Sequence, residues 1–382
     1  MPRSVPLRRT LGFLIALGAL TPSLVAAEPG EDARPKVCVA LSGGGALGLA
    51  HVGVLRELEA MQVPVDCIAG TSMGAIVGGL YAAGYSPAEL EELVATLDWT
   101  SLIRDRPDRR HLPYRRKVDD LNYLTHWELG VSKQGIRLPD ALVSGHRLGA
   151  ELQLLTLRAA GIDDFDRLPL PFRAVAADAS TAETIVLDHG ALATALRASM
   201  AVPGLFAPVE VDGRLLVDGG VVSNLPVAVA RELGAAVVIA VDLHAPVAER
   251  QRPKSIAGVL SQSLDALSQR EVARAVEDAD IVLRPEVDEW GLLDFDVGEE
   301  LVERGAEATR GQADALQALA LDEAAWRRHL ERQRRAEPTL PIRQVVIEPG
   351  PGLPQAAVAR SVRTRPGGDL DPLLLSGELE RL

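Results

Sequence analysis

"IAGTSMGAIVGG", residues 68–79, sets Ser72 between Gly70 and Gly74 where a β-like run gives way to a helix-like one. Such a G-x-S-x-G turn presents a serine hydroxyl at the carboxyl edge of a sheet, near the positive end of a helix dipole. A serine hydroxyl is a weak nucleophile at neutral pH until a neighbouring group takes its proton. Acyl transfer at Ser72 therefore needs two more parts from the sequence, a base and a set of donors for the oxyanion that develops.

Upstream, "KVCVAL" (36–41) enters "SGGGALG" (42–48) and then "LAHVGVLRELEAM", whose Leu49, Val52, Leu55, Leu58 and Met61 lie on one helical face. Gly43, Gly44, Gly45, Ala46, Leu47 and Gly48 thus form a second strand-to-helix turn whose backbone N–H groups suit an oxyanion. The competing reading is a dinucleotide fingerprint, because Gly43, Gly45 and Gly48 fit G-x-G-x-x-G and Asp66 follows at a distance suited to a ribose. A nucleotide fold has no need of the serine turn that comes next, whereas a hydrolase needs both.

Downstream, "LLVDGGVVSNLP" (215–226) closes a strand on Asp218, turns at Gly219 and Gly220, and starts a helix at Asn224 and Pro226. An aspartate before glycines is commonly a turn former. Beside Ser72 on the same sheet edge it is the leading base candidate. His244 follows the strand "AAVVIAVDL" (235–243) and would complete the Ser, Asp, His order of α/β-hydrolases, so it is the competing base. His51 reads as a packed helix residue, His111, His126, His146 and His189 fall in polar or turn-rich stretches, and His329 lies in a basic stretch.

The alternation continues through "VDCIAG", "FRAVAAD" (172–178), "TIVLD" (184–188), "RLLVD" (214–218) and "DIVLRPEV" (280–287), with helical stretches between. The helix after residue 86 has its own start signal, with Ser86 as cap, Pro87 at the first position and Glu89 completing a capping box. Alternating strands and helices predict an α/β fold with a mostly parallel central sheet covered by helices on both faces.

The chain has 382 residues and a formal charge of −13, which disfavours a nucleic-acid partner, and no Cys/His spacing suggests a metal. Residues 1–27 have the proportions of a signal peptide, with Arg3, Arg8 and Arg9, an apolar "LGFLIALGAL" and a small-residue end. The apolar run is shorter than the roughly 20 residues a membrane span needs. Cys38 and Cys67 sit in apolar strands, which favours two buried thiols, with a disulfide as the alternative. Residues 104–117 hold seven Arg or Lys against two Asp, a solvated loop or a surface that steers anionic head groups. After residue 320 a basic helical linker (321–339) leads to "IRQVVIEPGPG", a strand with a Gly/Pro turn, and two short helical segments in 340–382.

The glycine loop, the Ser72 turn and the Asp218-Gly219-Gly220 segment together resemble the patatin-like phospholipase family over roughly residues 36–320, as does "RASMAVPGLFAPV" (197–209). The resemblance implies a three-layer fold and a Ser-Asp dyad, with Ser72 as nucleophile, Asp218 as base, no histidine, no metal and no cofactor. It implies a phospholipid or other acyl-ester lipid as substrate, a membrane surface as the place of action, and lipid degradation as the role. An exposed aspartate has a pKa near 3.9, so the reading requires surroundings that raise it. Leu47 departs from the family's usual Arg or Lys at that position, which leaves a non-catalytic lipid-binding module as the second reading. Residues 340–382 resemble the start of a POTRA domain, the periplasmic module of exported, autotransporter-like members. No run of barrel strands follows, and only 3% of residues are aromatic. The expected location is the periplasm, the outer-membrane surface or the exterior.

Overall fold

The computed structural model describes residues 34–104, 130–132, 135–137, 143–243, 256–334, 340–347, 355–371, 374–375 and 378. Lys36–Leu382 form one compact unit. The leader-like segment, most of the basic stretch 104–117, His111, His126 and His244 lie outside the described residues.

The buried apolar runs form the centre of the sheet. Strands β1 (Val37–Leu41) and β2 (Cys67–Thr71) are buried at every position. The short hairpin strands β3 (Gly130–Ser132) and β4 (Gly135–Arg137) pair only with each other. The main sheet adds β5 (Phe172–Asp178), β6 (Thr184–Leu187), β7 (Val209–Val211), β8 (Arg214–Asp218), β9 (Val237–Val241) and β10 (Ile281–Leu283). Its order is β10-β9-β1-β2-β5-β8-β7, with β6 also on β5. The first five strands in that order are parallel, whereas β6, β7 and β8 pair antiparallel, so the sheet is mixed. The run at 280–287 yields only Ile281–Leu283, since Pro285 has no N–H for the ladder.

The period-2 alternation of the strands sorts side chains between two layers. Val37, Val39, Leu41, Ile68, Ile239 and Val241 face a larger core covered by α1 (Ala50–Ala60) and α2 (Met73–Ala82). Cys38, Ala40, Cys67, Ala69, Val238 and Ala240 face a thinner one covered by helices Val227–Glu232 and Ile256–Asp278. Each fully buried Val, Leu or Ile contributes about 1.5–3 kcal/mol of burial free energy. Cys38 and Cys67 are register partners on that thinner face, with Cα atoms 4.6 Å apart, and they form a disulfide. This corrects the expectation of two separate thiols, because adjacent strands bring equal-facing residues within disulfide reach.

The capping box forms as expected at the start of α3 (Pro87–Thr96): the Glu89 N–H donates to Ser86 Oγ at 3.3 Å and the Ser86 N–H to Glu89 Oε2 at 2.8 Å. That helix stops at Thr96, and a separate one covers Trp99–Arg104. Helix Gly298–Arg310 crosses α1 in backbone contact, with Gly305 against Ala50 and Gly53 against Val302, which brings Leu292 over the glycine loop.

The stretch expected as a basic helical linker is helical over Glu323–Gln333, but it is docked on the body with Trp326, His329 and Gln333 buried. Its basic character belongs to its outer face, where Arg327 and Arg328 are exposed. In the C-terminal segment the expected strand reduces to a bridge between Pro341 and Asp369, followed by helix Gln355–Ser361.

Candidate active site

The Ser72 turn and the Asp218 strand meet through an arrangement that the sheet order dictates. On β5, Val175 is paired with Thr71 and Val186, and Ala176 with Asp218 and Ile185. A strand has two edges, and β6 occupies one, so β2 and β8 share the other. They arrive from opposite directions and end at consecutive positions of β5. Ser72, one residue beyond β2, and Asp218, the last of β8, are thereby placed head to head.

Ser72 takes φ 54° and ψ −122°. That conformation costs a non-glycine residue about 1–3 kcal/mol and persists only when the surroundings hold it. Ser72 occupies the N-cap position of α2, where a serine oxygen ordinarily accepts from the first helical turn, yet it makes no such bond. Its hydroxyl is placed instead to interact with the Asp218 carboxyl, whose pKa it lowers. Gly70 and Gly74 flank it in backbone contact with each other.

Asp218 is 5% exposed. Its Oδ1 accepts the Gly220 N–H at 2.7 Å, and its own N–H donates to the Ala201 carbonyl at 2.9 Å. Burial pushes the carboxyl up to about 6, against the opposing pull of the hydrogen bonds from Ser72 and Gly220. Gly219 lies flat against the Val175 carbonyl, which lets the turn close on β5.

The glycine loop starts from a fixed Ser42. Its N–H donates to the Val241 carbonyl at 3.2 Å, its Oγ accepts the Leu243 N–H at 3.2 Å, and its carbonyl accepts from His51 Nε2 at 2.8 Å. His51 is fully buried on α1, as expected of a packed helix residue, and burial lowers its pKa to about 4. It is neutral and donates one N–H to the loop. Among the six loop residues, the amide of Gly43 donates to the Asn224 carbonyl (3.2 Å), that of Ala46 to the Leu292 carbonyl (2.8 Å) and that of Leu47 to the Gly44 carbonyl (3.1 Å). Gly44 and Gly45, entering the 3₁₀ turn Gly45–Leu49, have amides with no acceptor among the described residues. Leu47 is half-buried and packs on the core.

Three residues whose part in the site the sequence did not disclose complete it. Ser199 accepts the Ser72 N–H, and Leu292 covers the loop. Asn224 does not start a helix, which begins at Val227; it is buried with its Oδ1 2.6 Å from where a Cβ on Gly43 would stand and 2.8 Å from one on Gly220. Thr71 Oγ1 adds a bond to the Ser223 carbonyl at 2.9 Å, tying β2 to the same turn. Only "N" and "S" in apolar surroundings announced these roles, and either letter is as common in a cap or turn.

The dinucleotide reading fails on position. Asp66 precedes β2, and its Oδ2 accepts the Val37 N–H at 2.8 Å, at the amino end of the strands rather than the carboxyl edge where a ribose would lie. His146 opens helix His146–Leu155, His189 is exposed beside Asp188, and His329 stacks on Trp326.

A family model described as patatin-like phospholipase matches residues 39–231, half of the chain, and so spans the glycine loop, the Ser72 turn and the Asp218 segment. The chain belongs to the patatin-like phospholipase family. Among curated relatives of this family member, an uncharacterized NTE family protein of Mycobacterium tuberculosis is 35% identical over 216 residues, covering 56% of this chain and 50% of its own. Patatin-like phospholipase domain-containing protein 7 of Rattus norvegicus is 29% identical over 299 residues, covering 70% of this chain and 20% of its own. The chain thus spans half or less of the length of these patatin-like relatives. The crystal structure of VipD from Legionella pneumophila is similar at a TM-score of 0.41 and 15% identity, over 74% of this chain and 67% of that one.

Proposed function

We propose that this patatin-like protein is a serine acyl hydrolase that cleaves fatty-acyl esters of phospholipids or lysophospholipids through an acyl-enzyme on Ser72. The observation that carries the reading is the buried carboxyl of Asp218, raised to about 6 and set head to head with a strained serine whose hydroxyl caps no helix. At neutral pH such a carboxyl is ionised yet far more basic than an exposed aspartate, as a general base must be.

In the first step Asp218 takes the Ser72 proton as Oγ attacks the ester carbonyl carbon. The carbonyl electron pair moves to oxygen, where the unengaged Gly44 and Gly45 amides receive it. Collapse re-forms the carbonyl, breaks the ester C–O bond and returns the proton from Asp218 to the departing alcohol. Water then attacks the acyl-serine with Asp218 as base, and the proton goes back to Ser72 as the fatty acid leaves. Histidine takes no part in these steps.

Export by the leader-like residues 1–27 to the periplasm or the outer-membrane surface belongs to the same proposal, supported by the disulfide, a bond of oxidising compartments. For 340–382 the proposal is a POTRA-like module of the autotransporter-like branch, supported by the antiparallel bridge and one helix. Labelling by a fluorophosphonate probe together with hydrolysis of a chromogenic acyl ester tests the chemistry. Both are expected of the wild type and absent from Ser72→Ala; equal turnover by that variant would overturn the assignment.

A further inference from the structure

We infer that Ser199 is a positioning residue for the nucleophile, an inference that rests on the acyl-transfer reading of Ser72. Ser199 is the last residue of helix Leu192–Ser199 and is 0% exposed. Its Oγ lies 2.6 Å from the Val175 carbonyl oxygen and 2.9 Å from the Ser72 nitrogen. The carbonyl can only accept and the amide can only donate, so the single hydroxyl proton goes to Val175 and a lone pair faces Ser72. The polarity of the whole chain is fixed by chemistry.

The bond fills a gap that the topology creates. Thr71 is opposite Val175, and the next position on β5, Ala176, is already paired with Asp218. The Ser72 amide therefore has no ladder partner, and its φ of 54° turns it away from an ordinary helix start. A buried amide without an acceptor would favour relaxing that turn. Ser199 supplies the acceptor while resting on the same Val175 that marks the end of β2. Two residues later, Ala201 accepts the Asp218 N–H at 2.9 Å. One short segment, 199–201, thus holds the main chain of both partners, and the distance between nucleophile and base is set from a single piece of chain.

A positioning role predicts a loss in the chemical step rather than in substrate affinity. A displacement of about 1 Å at a reacting atom costs roughly 10²-fold in rate. The experiment is a steady-state comparison of wild type, Ser199→Ala and Ser199→Thr on a chromogenic acyl ester, with the fluorophosphonate labelling rate and the melting temperature of each. Ser199→Ala is expected to lose kcat and labelling rate by roughly 10²-fold with KM unchanged, below its melting transition, and Ser199→Thr, which keeps the hydroxyl, to recover most of both. Should Ser199→Ala fail to fold, Ser199→Cys, a weaker acceptor of similar size, is expected to show the same split in smaller measure. A folded Ser199→Ala with wild-type kcat, or a loss that Ser199→Thr does not repair, overturns the positioning role alone. A wild type inert to ester and probe overturns the acyl-transfer reading, and this inference with it.

Discussion

Ser72 and Asp218, 146 positions apart in sequence, are brought together by two strands that share one edge of β5 and end head to head at Val175 and Ala176. The juxtaposition is a property of the sheet: main-chain pairing fixes the strands that end at Thr71 and Asp218, and Ser199 Oγ holds the Ser72 amide just beyond the ladder. It also buries the carboxyl, and that burial has consequences for rate and for stability.

The first consequence is a pH profile. In the proposed mechanism Asp218 can act as base only when ionised, and burial has raised its pKa to about 6. The logarithm of kcat/KM is expected to rise with unit slope through the acid range, bend near pH 6 and level off above it. Hydrolysis of a pH-insensitive acyl ester across pH 4 to 9 measures this. A bend near 4, the range of an exposed carboxylate, would show that the buried environment is not what the catalytic form experiences; a bend that moves in His244→Ala would restore histidine as base.

The same shift makes Asp218 a stability cost. Its pKa is higher folded than unfolded, so the native state binds the proton more tightly, and the contribution is fully present below about pH 4 and lost as pH rises through about 6. Two units correspond to about 3 kcal/mol, an order-of-magnitude figure. Asp218→Asn, which keeps an acceptor for the Gly220 N–H, is expected to be inactive and more stable than wild type by about 1–3 kcal/mol at pH 7.5, with the gap closing at pH 4. Urea unfolding at the two pH values gives the sign. A less stable variant at pH 7.5 would mean that the ionised carboxylate is better satisfied than its burial implies.

The side chain of Asn224 gives a test of geometry in which neither Ser72 nor Asp218 is substituted. A Cβ on Gly43 would stand 2.6 Å from Asn224 Oδ1 and 3.1 Å from Ser72 Cβ, so Gly43→Ala must displace the Asn224 amide and crowd Ser72. Gly43→Ala is expected to lower kcat by roughly 10²-fold. Removing the obstructing amide in Gly43→Ala/Asn224→Ala should leave the pair less impaired than the two single losses added together. A double-mutant cycle on kcat/KM reads this coupling; strict additivity would show that the two residues do not share the space.

What the sequence disclosed follows from the range of each signal. The strand ends at Asp178 and Asp218, the capping box at Ser86 and the two glycine-flanked turns are local patterns, and the structure reproduces them. The antiparallel part of the sheet was not legible, because "TIVL" and "RLLVD" carry no mark of direction. Ser199, Asn224 and Leu292 act across 127, 181 and 246 residues or more of chain, through one hydroxyl, one amide and one carbonyl. A carbonyl has no sequence signature at all. The docking of Glu323–Gln333 was hidden likewise, since its charged face dominates the composition and its buried face is only Trp326, His329 and Gln333.

Strand pairing also decides the behaviour of the two cysteines. Cys38 and Cys67 are register partners separated by 29 residues, and both are fully buried. Closing a loop of that length restrains the unfolded chain by about 3–4 kcal/mol on the chain-entropy account. Cys38→Ala/Cys67→Ala is therefore expected to unfold at lower urea by an amount equivalent to about 3 kcal/mol. Its kcat should be unchanged, because Ser42 and Ser72 are each held by bonds of their own downstream of the crosslink. Reductant added to the native protein has no route to the buried sulfurs and should alter the melting curve only through the transition itself. Denatured, unreduced protein should show no free thiol, and two after reduction; two free thiols before reduction would mean that the paired strands hold the sulfurs side by side without a bond.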